Sequence, residues 1–275
     1  MSYEPTEEEL APHEEAARAV QRLLALMARL RAPGGCPWDR EQTLESLRPY
    51  LLEETYEVLE AIDRGDAAHH LEELGDLLLQ IVFQAEIRRE SGEWTLAEVA
   101  RGITDKLHRR HPHVFGDAEA ADASTAFENW ERQKAKEKKE RKSVLDGVPR
   151  AAPALMRAER LTDKAAAVGF DWPDPMGARR KIDEELAELD AAVAAEAQER
   201  IEAELGDLLF AVVNYGRKLG IHPEDALRGT LERFEDRFRH IERRLAEQGR
   251  SPKEAGLEEM DALWEEAKGG GSDAR

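Results

Sequence analysis

The sequence runs to 275 residues, long for one domain and comfortable for two. Its 59 Asp and Glu outnumber 40 Lys and Arg, for a net charge of −19, and a surface this acidic disfavours nucleic-acid backbones and anionic membranes as generic partners. The single cysteine, Cys36, excludes an internal disulfide and any multi-cysteine zinc site.

Helical periodicity dominates. Leu10, Ala16, Val20, Leu23, Leu24, Met27 and Leu30 recur at helical spacing over residues 9–31, and Pro33-Gly34-Gly35-Cys36-Pro37 breaks the pattern. It resumes over about 41–62, turns at Arg64-Gly65-Asp66, runs again over 67–90 to Ser91-Gly92, and spans 96–110 before Pro112. His111 and His113 read as a loop or helix end rather than metal ligands, since no acidic partner lies at ligand spacing. Residues 128–142 read as a solvated connector helix rich in base: Arg132, Lys134, Lys136, Lys138, Lys139, Arg141 and Lys142. The Gly and Pro cluster after it sets an expected boundary between two domains, 1–148 and 149–275. The start shows no basic stretch followed by an apolar one, and no run approaches the roughly 18 apolar residues of a membrane span. With one cysteine, this leads to an expected cytoplasmic location.

The strongest organisational signal is an internal repeat. Glu53, Glu54 and Glu57 return as Glu184, Glu185 and Glu188, while Glu73 and Asp76 return as Glu204 and Asp207, all offset by 131 positions. Each copy reads Glu-Glu-x-x-Glu on one helix and Glu-x-x-Asp on the next. Residues three or four apart share a helix face, and a short turn makes the two helices antiparallel neighbours. The carboxylates of each copy should therefore collect in one space.

Such a cluster is costly without partners, and hard oxygen ligands suit Mg²⁺, with Mn²⁺ as a substitute. The apolar run after Asp76 and Asp207 leads to the expectation that both flank buried surface. A di-iron bundle site is the chemical competitor, but it places His at the i+3 position where this chain has Glu or Asp. Glu-rich helices with only surface charge are the plain alternative, which the repetition on adjacent helices argues against.

The two carboxylate words, 15 residues apart and present twice, together with Gly35-Cys36-Pro37-Trp38-Asp39, Arg109-Arg110-His111-Pro112-His113-Val114-Phe115 and Val168-Gly169-Phe170-Asp171-Trp172, resemble the MazG family of nucleoside triphosphate pyrophosphohydrolases. The resemblance covers about residues 15–268. It implies an all-α fold of two tandem repeats, four-helix-bundle type and completed by dimerisation into a homodimer. It also implies hydrolysis of NTPs and dNTPs to the monophosphate and pyrophosphate. By resemblance, Glu185, Glu188, Glu204 and Asp207 are the Mg²⁺ ligands of the second copy, and Glu54, Glu57, Glu73 and Asp76 their counterparts. Lys181, Arg200, Arg233 and Arg237 match the family's nucleotide-contacting basic positions, and Trp264 a tryptophan near the base. Read from the residues alone, Lys181 is equally an i,i+4 partner of Glu185, Arg233 and Arg237 equally surface charge, and Trp264 equally a helix-docking residue.

Glu184, or a metal-bound carboxylate beside it, is the candidate base for an attacking water. Asn214 lies two turns after Asp207 on the same face, where the first copy has Phe83, so an amide able to hold sugar or phosphate stands only in the second copy. This makes the C-terminal copy the expected main catalytic one. A nucleotide-sensing binding module and a structural scaffold are the alternatives from other classes, which the intact carboxylates and the apolar helix behind them argue against.

Overall fold

The computed structural model describes residues 3–137 and 143–270, and among these every regular element is helical. No described helix is long and apolar enough to cross a membrane. The chain divides into two compact units, Met1–Lys139 and Glu140–Arg275. The segment before Pro149 goes with the second unit because Lys164 Nζ donates to the carbonyls of Val144 and Asp146, at 3.2 and 3.1 Å.

The first unit is built from α1 (Glu14–Arg31), α2 (Arg48–Arg64), α3 (Ala67–Glu90), α4 (Leu96–Arg110) and α5 (Ala123–Glu137). The helix expected from about residue 41 begins at Arg48, because Thr43 and Ser46 close a turn on each other's side chains and Pro49 occupies the first helical turn. Gly65 ends α2 in the left-handed conformation, and the Asp66 carboxylate accepts from the N–H groups of Ala68 and His69 to start α3. Thr95 and Glu98 form a capping box on α4. The core joins Met27, Leu47, Val82 and Phe83, with Leu23, Leu78 and Ile87 packed against it. Arg31 seals its edge, binding Glu90 through two nitrogens at 2.8 and 2.9 Å while its guanidinium lies 5.3 Å from the Phe83 ring centre. His111 ends α4, its ring 2.7 Å from the Leu107 carbonyl. Of the basic connector, α5 extends to Glu137, and residues 138–142 lie outside the described residues.

The second unit comprises α6 (Ala154–Ala166), α7 (Pro175–Ala194), α8 (Gln198–Lys218), α9 (Pro223–Ala246) and α10 (Leu257–Gly270). The hairpin of α7 and α8 is its main packed pair, as α2 and α3 are in the first unit. Helix α6 packs on α8 and α9, and α9 on α10, where Ile241, Leu245 and Leu263 form a second small core. Pro153 cannot cap α6 with a side chain, so Glu224 of α9 accepts from the Met156 N–H at 3.3 Å.

The two hairpins share a turn geometry with unequal residues. Glu196 corresponds to Gly65 and holds φ = 52°. Ala197 corresponds to Asp66 and offers α8 no side-chain cap.

Candidate metal and nucleotide site

In each unit, one hairpin brings three carboxylates together. Glu54, Glu57 and Glu73 each offer an oxygen within 4.8 Å of the others, and so do Glu185, Glu188 and Glu204. The helix repeat does this directly: positions three apart on the first helix share a face, and the antiparallel partner presents one more acid to it. Three oxygens this close repel one another unless a cation or a proton intervenes.

The electrostatics record that repulsion. The Glu54 carboxyl is pushed up by burial and then by Asp76 and Glu57. Glu73 is pushed up by burial and by Glu57, against the pull of His69. Glu188 is pushed up by burial, then by Glu204 and Glu185, against the pull of Lys181. Asp76 lies outside the triad of mutual neighbours, yet its charge reaches Glu54 and Glu73.

Asp207 itself is exposed, although Ala211 and Asn214, one and two turns on along the same face, are buried. Helix α8 turns Ala211 and Val213 inward but leaves Leu205, Leu209, Phe210 and Val212 between 45% and 50% exposed. Within one chain, the apolar run after Asp207 is therefore only half core.

The most buried acid of each cluster sits at a different repeat position, and each holds its own partner. Glu73 is 7% exposed and lies 3.1 Å from His69 Nδ1. Glu185 is 5% exposed and lies 2.6 Å from Lys181 Nζ, which also donates to Glu184 at 2.8 Å. Those bonds, first Glu184 and then Glu185, hold the Lys181 ammonium above lysine's ordinary value. Arg200 stands 3.5 Å from Glu204. Lys181 and Arg200 thus belong to the second cluster by contact.

The remaining basic positions stand elsewhere. Arg237 lies 5.4 Å from the Trp264 ring centre, Phe234 packs on the same ring, and Arg233 donates to the Thr230 hydroxyl at 2.8 Å. None of these contacts reaches the carboxylates; Arg237 and Phe234 fasten α9 to α10 through Trp264, while the Arg233 bond stays within α9. Asn214 is buried, and its Oδ1 accepts from Arg217 Nε at 2.9 Å. Arg217 continues to Asp171 at 2.7 Å, and Lys218 binds both Asp171 and the Trp172 carbonyl. Burial raises the Asp171 carboxyl, but Arg217 and Lys218 outweigh it and hold the group below its ordinary value. Trp172 in turn lies over Gly177, where a Cβ would come within 2.2 Å of the indole. The sequence marks residues 168–172 as a motif but carries no sign of their pairing with Arg217 and Lys218, and His69 stands outside the expected site residues. The offset of 131 would have found His69, since it maps Arg200 there.

The donor set is entirely carboxylate oxygen, the chemistry that a hard divalent cation takes. The chain matches the family described as the MazG nucleotide pyrophosphohydrolase domain over residues 42–115 and 176–242, segments that include both clusters. It is 46% identical over 257 residues to a nucleoside triphosphate pyrophosphohydrolase/pyrophosphatase MazG of Thermotoga maritima, covering 93% of this chain and 98% of that protein. It is 46% identical over 254 residues to a nucleoside triphosphate pyrophosphohydrolase of Escherichia coli K12, covering 90% and 97%. The crystal structure of a mazG-related protein from Thermotoga maritima shares 30% identity and covers 42% of this chain and 98% of its own, at a TM-score of 0.36. With the family's domain matched on both hairpins and relatives of 46% identity spanned nearly end to end, this chain is a member of the MazG family.

Proposed function

We propose that this protein is a nucleoside triphosphate pyrophosphohydrolase that uses Mg²⁺ to convert NTPs and dNTPs to the monophosphate and pyrophosphate. The observation that carries the reading is the three-carboxylate cluster flanked by Lys181 and Arg200, in a chain 46% identical to proteins named for that activity.

A triphosphate brings roughly four negative charges to a site that is itself acidic. Glu185, Glu188, Glu204 and Asp207 would hold Mg²⁺, which when bound would supply positive charge against the phosphates. The chain's own groups do the rest. Lys181 and Arg200, already beside the carboxylates, turn to the phosphate oxygens. Glu184, exposed next to Lys181, orients a water and takes its proton. The water oxygen bonds to the α-phosphorus as the bond to the α–β bridging oxygen breaks, and pyrophosphate leaves with that electron pair.

A homodimer belongs to the same reading. The outward residues of α8, among them Leu205, Leu209 and Val212, are the apolar surface a second copy would cover, and such cover would enclose Asp207. It would also supply a route for Arg233, Arg237 and Trp264 to reach substrate. We place the enzyme in the cytoplasm, where its substrates are made.

The test is product analysis by ion-exchange chromatography over a panel of NTPs and dNTPs, with Mg²⁺ and with EDTA. Monophosphate and pyrophosphate, formed only with the metal, are the expected products. Diphosphate and phosphate would mean attack at the γ-phosphorus and refute the mechanism.

A further inference from the structure

The two clusters carry the same acids but different resident cations. In the second unit, Lys181 bridges Glu184 and Glu185 at 2.8 and 2.6 Å, and Arg200 faces Glu204 at 3.5 Å. Two permanent cations therefore offset four carboxylates: Glu184, Glu185, Glu188 and Glu204. The 131-residue offset places Tyr50 where Lys181 stands and His69 where Arg200 stands. Tyr50 packs edge-on against Trp38, with ring centres 6.0 Å apart. Among the described residues, the basic group paired with the corresponding acids Glu53, Glu54, Glu57 and Glu73 is one imidazole, His69 at 3.1 Å from Glu73. An imidazole is a far weaker counter-charge than an ammonium and a guanidinium together.

We infer that Lys181 and Arg200 are built-in counter-cations of the second cluster, so that the two repeats take divalent cations in a fixed order: the first repeat at low concentration without nucleotide, the second only as its own cations are displaced. The inference rests on the proposed function, in which both clusters hold divalent metal. An incoming ion in the first cluster meets carboxylates opposed, among the described residues, by the His69 imidazole and no resident Lys or Arg. In the second it must displace Lys181 from Glu185 and Arg200 from Glu204 before those oxygens are free. Each displaced side chain is then available to an anion arriving with the metal.

The experiment is a titration of the metal-free full-length chain with Mn²⁺ alone, following the free-ion EPR signal. Two classes of site should appear, separated by at least about tenfold in dissociation constant, the scale set by adding two nearby unit charges. Glu57→Gln should remove the tight class and Glu188→Gln the weak one. Lys181→Met with Arg200→Met should tighten the weak class at least about tenfold, and Tyr50→Lys should weaken the tight class. Lys181, Arg200 and Tyr50 are all partly or well exposed, so these variants keep the fold, which circular dichroism checks. One class of site, the reverse assignment, or no response to the Lys181 and Arg200 variants overturns the inference. If Mg²⁺-dependent hydrolysis survives such a result, the proposed function stands without it; absence of any Mn²⁺ binding overturns both.

Discussion

Arg217 donates to Asp171 at 2.7 Å across 46 positions of sequence, and both side chains are at least four-fifths buried. The pair pins the loop before α7 to the far end of α8. Asp171→Asn removes the charge and leaves Arg217 with Asn214 and the more distant Asp163, 3.8 Å away, and Lys218 with the Trp172 carbonyl. We expect a loss of about 2 kcal/mol in urea unfolding, between a surface pair and a fully buried one. Because the Asp171 carboxyl is held below its ordinary value, its contribution is present above the unfolded carboxyl range near pH 3.9 and is lost as the pH falls through the folded value. The stability gap between wild type and Asp171→Asn should accordingly narrow under acid.

Gly177→Ala tests the same anchor from its other side. The new Cβ would fall 2.2 Å from the Trp172 Cδ1, so the indole must leave α7. The expected cost is about 1–3 kcal/mol, with a change in tryptophan fluorescence that Asp171→Asn alone produces only weakly.

The turn between α7 and α8 can be improved. Glu196→Gly relieves a left-handed residue that carries a Cβ, and Ala197→Asp supplies the cap that Asp66 gives the first hairpin. Each should add about 1 kcal/mol, read as a rise in the urea midpoint at unchanged slope.

The clustered acids set a pH signature for the metal-free protein. Glu54, Glu73 and Glu188 keep protons in the folded state to higher pH than in the unfolded one. Stability therefore falls as pH rises above the ordinary glutamate range, near 4.3, and levels off once the raised values are passed. Mg²⁺ binds the deprotonated ligands, so it should raise Tm more at about pH 7 than at about pH 5.

Asp207→Ala and Asp76→Ala separate the repeats by activity. On the reading that the C-terminal copy carries catalysis, Asp207→Ala lowers kcat/KM at least about tenfold more than Asp76→Ala. Equal losses would refute that asymmetry.

Local spacing carried much of this in the sequence. The helix over 96–110 and the turn at Gly65-Asp66 stand where periodicity and capping residues place them. The grouping of Glu185, Glu188 and Glu204 follows from i,i+3 geometry and one short turn. The start of α2 was masked by the Thr43–Ser46 turn, which continues an apolar rhythm without being helical. The exposure of Asp207 was not legible, because an apolar run does not say which of its faces the same chain covers. Arg217 and Asp171 are joined only by tertiary packing, so neither residue type nor spacing signals their pairing.

The strained turn at Glu196 has a consequence for motion. The amides around Gly65 close a well-capped hairpin, whereas those around Ala197 close one that lacks both the glycine and the cap. Hydrogen exchange at the start of α8 should therefore outpace exchange at the start of α3. Arg200 sits in that first, uncapped turn, so the hairpin bearing Lys181 and Arg200 is also the one whose mouth is expected to open more often.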